Sequence, residues 1–147
     1  MNSYLMLYLT HRIPVMLVTF GVIAHIVIVW RARSKTTLVL QEKLRRTRVI
    51  SMPIFALLTL SIPVTGVGLT HMAGWPLSQK WLMVSIIMYP LLFVFGGFLY
   101  RSLTGWQAQL NNSQSAGASQ QKAALLWVVL LLVVLFTIEL LMMMKPL

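Results

Sequence analysis

A few ionisable side chains interrupt the apolar stretches of this 147-residue chain. His11, His71 and Glu139 each fall in a different hydrophobic run, Arg12 lies beside His11, and His25 follows in the first run. Such residues are costly in hydrocarbon and usually face the interior of a helix bundle, where they have a partner. Neutral imidazole nitrogens also bind metals and haem iron. What these residues can do depends on the elements that carry them.

The composition is that of a membrane protein. Hydrophobic residues make up 59% of the chain and charged residues only 10%, whereas soluble domains contain about 25% charged residues. The apolar runs approach or exceed the ~20 residues that a helix needs to cross a bilayer. An isolated strand cannot satisfy its backbone in lipid. The sequence therefore predicts an all-α polytopic membrane protein with a single domain over residues 1–147. Two antiparallel hairpins form a four-helix bundle. The predicted spans are at about residues 4–30, 49–72, 81–100 and 123–144.

The basic residues concentrate on one side of the predicted membrane. Residues 31–48 contain seven basic residues and one acid, and Arg101 and Lys122 flank the second long connection, residues 101–122. The positive-inside rule makes these two connections cytoplasmic loops and both termini periplasmic, in a bacterial inner membrane. The second loop is rich in Ser, Gln, Asn and Gly and is expected to be mobile. This topology accounts for the net charge of +10, so we expect no nucleic-acid partner; residues 31–48 are also suited to anionic lipid head groups or an acidic partner.

The polar residues of three spans are expected at a similar height in the periplasmic half. At ~1.5 Å per residue, His11, Arg12, His71 and Glu139 all fall near the outer side, and Lys145 follows at the edge. Two imidazoles on facing antiparallel helices are what axial ligation of a haem requires. We expect one b-type haem with His11 and His71 as axial ligands. Arg12 and Lys145 would lie near the propionates, and Glu139 would be a hydrogen-bond partner or proton acceptor.

A porphyrin also needs a slot between helices, which small residues provide. Gly21 and Gly66 are the predicted slot residues, and further glycines lie in the second and third spans at Gly68, Gly96 and Gly97. Glycines in membrane helices also serve plain close packing. His25 lies on the same face as His11, but no second histidine falls at its level. A buried, hydrogen-bonded role is therefore favoured for His25.

Several short stretches carry a resemblance. They are His11 with Gly21 ten residues later, LTLSIPVTGVGL, GWPLSQKWL and the ending MMMKPL. The chain resembles four-span bacterial inner-membrane proteins around the HemJ-type protoporphyrinogen oxidases and the CopD-like copper-resistance domains. It looks closest to an uncharacterised family of predicted integral membrane proteins. The HemJ resemblance implies haem ligation by His11 and matches Lys145–Pro146, but the third-span lysine of HemJ-type proteins falls at Ser85, so protoporphyrinogen oxidation is not implied.

The predicted function is an inner-membrane haem b protein that exchanges electrons with a quinone or a periplasmic redox partner. One alternative is a non-catalytic membrane subunit or assembly factor, in a homo- or hetero-oligomer, whose polar residues only pack helices. Another is a copper-handling or transport protein in which His11, His71 and Glu139 line a path. A Soret band that depends on both histidines would favour haem. Colourless protein would favour one of the alternatives, and copper binding would distinguish between them.

Overall fold

The structure is a computed structural model that describes residues 2–32, 34, 37–112 and 118–144. Over these residues it is all-helical, with no strand. Four stretches are long and apolar enough to cross a membrane, which confirms the predicted fold class. The helical elements are α1 (Ser3–Ala32), α2 (Thr37–Arg46), a π-helical turn (Thr47–Ser51), α3 (Met52–Ala73), α4 (Lys80–Asn111) and α5 (Ala118–Met144).

The four long helices form two antiparallel hairpins. α1 packs along α3 and α4 packs along α5, while the hairpins touch each other in the membrane mainly through α1 and α5. A tight turn joins α3 to α4: Gly74 takes a left-handed φ of 68°, and its amide donates to the His71 carbonyl. A φ of this sign favours glycine because it has no Cβ. The end of the bundle that carries Arg31 and Arg101 is called the basic end here, and the opposite end the terminal end.

The first long connection is helical over most of its length, and its cytoplasmic location stays a prediction. α2 covers residues 37–46 and buries Leu40 and Leu44, the latter 0% exposed. These leucines are four residues apart and therefore share one face. They pack against α4 and α5 in an apolar cluster with Leu99, Leu103, Trp106 and Ala124.

The two ion pairs found among the described residues lie on the exposed side of α2. The Glu42 carboxylate accepts hydrogen bonds from Arg45 at 3.0 Å and Arg46 at 2.9 Å. These hydrogen bonds, and the positive charges that make them, lower the pKa of the half-exposed Glu42 to about 2. Glu42 is therefore ionised at neutral pH.

The second long connection, residues 101–122, is also helical at both ends, and its mobility stays a prediction. α4 continues to Asn111 and α5 already begins at Ala118. Leu103 and Trp106 are buried and give this extension of α4 an apolar face. Gly105 on α4 packs closely against α5, since a Cβ at Gly105 would lie 3.0 Å from Gln120 Cδ. Residues 113–117 lie outside the described part of the chain.

Much of the apolar surface of the spans is turned outward. Val64 is 74% exposed and Leu57 is 69% exposed on α3, and Ile87 is 69% exposed on α4. Without a membrane such a surface would be unstable in water. These side chains contact acyl chains in the bilayer, so lipid is the first partner of this protein.

Candidate functional site

His11 is held against the middle of α3. Its Nδ1 lies 3.1 Å from the Ile62 carbonyl oxygen and 2.9 Å from Thr65 Oγ1, and its ring covers Gly66. A carbonyl oxygen only accepts, so Nδ1 carries the proton and donates it. In this tautomer Nε2 keeps its lone pair, and no described residue hydrogen-bonds to it. This is the arrangement in which a histidine can ligate a metal.

His71 does not lie opposite His11. It is exposed in the last turn of α3, five residues beyond Gly66. Five residues correspond to about 7.5 Å along the helix and about 140° around it. The two imidazoles therefore do not face a common centre, and the predicted pair of axial ligands is not assembled in this structure.

Glu139 reaches a deeper level than predicted. Its Oε1 lies 2.5 Å from Thr19 Oγ1 on α1. Thr19 is eight residues further along α1 than His11, which is about 12 Å nearer the basic end. The predicted common height of Glu139 with His11 and His71 is therefore wrong. The error has a physical cause: the 30 residues of α1 span about 45 Å, more than the ~30 Å of hydrocarbon, so helix ends do not mark depth.

A second interhelical hydrogen bond lies at nearly the same level. Pro63 has no amide proton and so leaves the Thr59 carbonyl, one turn earlier in α3, without its helical donor. The Tyr89 hydroxyl on α4 donates to this carbonyl and joins the two hairpins. Together Thr19, Thr59, Tyr89 and Glu139 form a polar layer in the middle of the bundle, called the central polar layer below.

The two predicted slot glycines are filled by the protein itself. A Cβ on Gly21 would lie 2.5 Å from Phe55 Cε1 and Cζ, and a Cβ on Gly66 would lie 3.2 Å from His11 Cε1. In this structure neighbouring side chains take up the space at both glycines, and a porphyrin slot there stays a prediction. Gly96 and Gly97, by contrast, have free space beside them. A Cβ on Gly96 would meet a single atom at 4.0 Å, and a Cβ on Gly97 would meet nothing within 4 Å.

His25 joins α1 to the start of α3 through both ring nitrogens. Nδ1 donates to the Gly21 carbonyl at 2.8 Å, and Nε2 accepts from the Ser51 hydroxyl at 2.8 Å. The Phe55 ring packs edge-on against it with centroids 5.2 Å apart. His25 is thus the half-buried, hydrogen-bonded histidine that the sequence favoured, and it has no lone pair left for a metal.

An apolar cavity of about 390 Å³ lies between the two hairpins. It extends from the central polar layer, where Val18, Thr59 and Leu135 line it, to the basic end, where Trp106 and Gln121 line it. Gly96 and Gly97 form part of its wall and leave it open. Nothing in the sequence pattern indicated it.

The chemistry of the cavity wall is simple. Aliphatic and aromatic side chains dominate it, and the polar residues are His25, Thr47, Thr59, Tyr100 and Gln121, with Trp30 also present. His25 is already satisfied within the protein. Pockets of this size and character suit small apolar molecules, which a few polar groups hold in a fixed orientation.

The comparisons with known proteins identify a family. A family model described as predicted integral membrane protein, DUF2269, matches residues 5–146. The chain belongs to the DUF2269 family. Comparison with curated proteins and with solved structures finds no match. Membership of DUF2269 agrees with the four apolar helices, and the more distant resemblance to HemJ-type and CopD-like proteins stays a prediction.

The remaining predicted site residues are not assembled around a haem. Arg12 is half-buried next to His11, and the ion pairs in the described chain do not include it. Lys145 lies outside the described residues. Among the residues described, no three His, Asp or Glu side chains come together as a metal-binding group. The strongest site features of this DUF2269 protein are therefore the cavity, the central polar layer and the free Nε2 of His11.

Proposed function

We propose that this DUF2269 protein is a multi-pass protein of the bacterial inner membrane that binds a membrane amphiphile between its two hairpins. The observation that carries the proposal is the cavity of about 390 Å³ with its almost wholly apolar wall. Cavities of a few hundred Å³ with this character are typical of small-molecule sites. The apolar body of the amphiphile would occupy the cavity and displace lipid tails or water.

The charge at the basic end supports an anionic or strongly polar head group. Lys122 follows the cavity residue Gln121, and Arg101 follows Tyr100. Arg48, next to the cavity residue Thr47, has a buried Nε with no hydrogen-bond partner among the described residues. A buried unpaired donor is costly and commonly marks a missing partner. Phosphate or quinone oxygens would supply such a partner, which favours a phospholipid or an isoprenoid quinone as the amphiphile.

Native mass spectrometry of the protein released from native-lipid nanodiscs tests this proposal. We expect a retained species of one amphiphile per chain that survives collisional removal of the lipids on the outer surface. Its mass distinguishes a quinone from a phospholipid. The test variant is Arg48→Gln, which keeps the apolar wall and is expected to lower retention at least tenfold, since a charge-assisted hydrogen bond contributes about 1.5–3 kcal/mol. Release of bare protein at the same energy as the surface lipids would contradict the proposal.

Haem b binding is the second candidate, and the observation that favours it is the tautomer of His11. Its Nδ1 donates to the Ile62 carbonyl, which leaves Nε2 free to serve as an axial ligand. His71 and the slot glycines do not support a haem bound by two histidines at this point. A haem would supply redox chemistry, with a quinone or a periplasmic protein as electron partner. The residues of this chain would contribute the ligand and the positive charge of Arg12 beside it.

An absorption spectrum of protein from cells supplied with haem tests the second candidate. If His11 ligates haem, the purified protein shows a Soret band that is lost in His11→Ala and retained in His71→Ala. Equal loss in both variants would restore the predicted pair of ligands. Colourless wild-type protein would remove this candidate, and copper binding by that protein would then favour the copper-handling alternative.

A further inference from the structure

The pair Thr19–Glu139 sits in the interior of the bundle and is not needed for the proposed amphiphile binding. Thr19 is 5% exposed and lies on the face of α1 that contacts α5. Its Oγ1 makes two close contacts, one of 2.5 Å with Glu139 Oε1 and one of 2.9 Å with the Val15 carbonyl oxygen. Glu139 is the only acidic residue in any of the spans.

A count of the protons in this pair favours one arrangement. A threonine hydroxyl has one proton to donate, and the Val15 carbonyl oxygen can only accept. If Glu139 were ionised, two acceptors would compete for one proton, and one close contact would be left without a hydrogen. If Glu139 carries a proton, it donates to Thr19 Oγ1, and Thr19 donates to Val15. Both contacts are then hydrogen bonds, in the order carboxylic acid, hydroxyl, carbonyl.

Among the described residues, no cation pairs with Glu139. In the part of the chain that the structure describes, both ion pairs belong to Glu42. On α1 the nearest ionisable side chains are His25, whose ring nitrogens are both engaged, and Arg12, about 10.5 Å away along the helix axis. On α4 the nearest is Tyr89, whose hydroxyl donates to the Thr59 carbonyl. An unpaired carboxylate at this depth would be costly in hydrocarbon.

We propose that Thr19 and Glu139 form a proton-binding site in the middle of the membrane, with the proton on Glu139. The cavity lining includes the neighbours Val18 and Leu135 but neither Thr19 nor Glu139. The proposal holds whether or not an amphiphile is bound, so the two can fail separately.

Infrared spectroscopy at neutral pH tests the site directly. A protonated carboxyl group has a carbonyl stretching band at higher frequency than a carboxylate, and the band moves in D2O. The chain contains only two acidic side chains, and Glu42 is ionised because its pKa is about 2. We therefore expect one such band, absent in Glu139→Gln and unchanged in Glu42→Gln.

A Thr19 variant separates the proposed hydrogen bond from simple burial. In Thr19→Val the band is expected to persist but to move to higher frequency, since the acid loses its acceptor, and Thr19→Ser should restore it. Labelling by the apolar reagent dicyclohexylcarbodiimide gives a second readout. The acid proton passes to a carbodiimide nitrogen while the carboxyl oxygen adds to the central carbon, so Glu139 and not Glu42 should gain the mass of one reagent. A wild-type spectrum with carboxylate bands only would overturn the proposal.

Discussion

Replacing Gly96 by leucine will expel the amphiphile from the cavity. A Cβ at Gly96 meets only Leu131 Cδ1, at 4.0 Å, so the backbone can accept a side chain there. Both residues line the cavity, and the added leucine atoms would take up space that the ligand needs. We expect retention or affinity to fall at least tenfold, which corresponds to about 1.4 kcal/mol. Native mass spectrometry and titration with a brominated amphiphile that quenches Trp106 measure this loss.

The matched control for this variant is Val84→Leu. It introduces the same side chain on the same helix, at an exposed position that does not line the cavity. It should bind as the wild type does, and both variants should have the wild-type unfolding midpoint to within a few degrees. Wild-type affinity in a folded Gly96→Leu protein would mean that the ligand site lies elsewhere.

Replacing Gly21 by alanine will destabilise the packing of α1 on α3. The new Cβ would lie 2.5 Å from the Phe55 ring, so the ring must move. Because Phe55 also packs edge-on against His25, its shift disturbs the link from His25 to Ser51. Overpacking of this kind typically costs about 1–3 kcal/mol. Reversible unfolding in mixed micelles will show this loss in the free energy of unfolding.

Gly97→Ala is the control for that measurement. Its Cβ would meet nothing within 4 Å, and alanine favours the helix by about 0.8–1.0 kcal/mol relative to glycine. It is expected to be neutral or slightly stabilising. Adding Phe55→Leu to Gly21→Ala should recover part of the lost stability, since a smaller side chain leaves room for the new methyl group. Equal stability of Gly21→Ala and Gly97→Ala would show that the Phe55 ring adapts without cost.

The sequence predicts the helical spans well and the faces by which they meet poorly. Long apolar runs with few interrupting charges force a helix in lipid, so the four spans follow directly. These runs are apolar on every side, however, and therefore lack the 3.6-residue pattern that would identify a buried face. The relative rotation of His11 and His71 could not be derived for this reason. The contact of Glu139 with Thr19 could not be predicted from the sequence for the same reason.

The helices within the two connections were not predicted, for a different reason. Their charged and small polar residues were interpreted as signs of topology and mobility. The short apolar pattern of a helix face within the same segments was therefore overlooked. Leu40 and Leu44 are spaced for one helix face, and so are Leu99, Leu103 and Trp106. The cavity lies between the two hairpins and depends on how they pack against each other, which no local pattern encodes.

The π-helical turn Thr47–Ser51 sets the relation between α2 and α3. The Met52 amide bonds to the Thr47 carbonyl, five residues back, so this turn contains one residue more than an α-helical turn. One residue corresponds to about 100° of rotation. Deleting it would swing Leu40 and Leu44 out of their contact with α4 and α5 and turn charged neighbours inward. A single extra residue thus lets one continuous helical segment cross the bilayer as α3 and, in a different rotational orientation, cover the basic end of the bundle as α2.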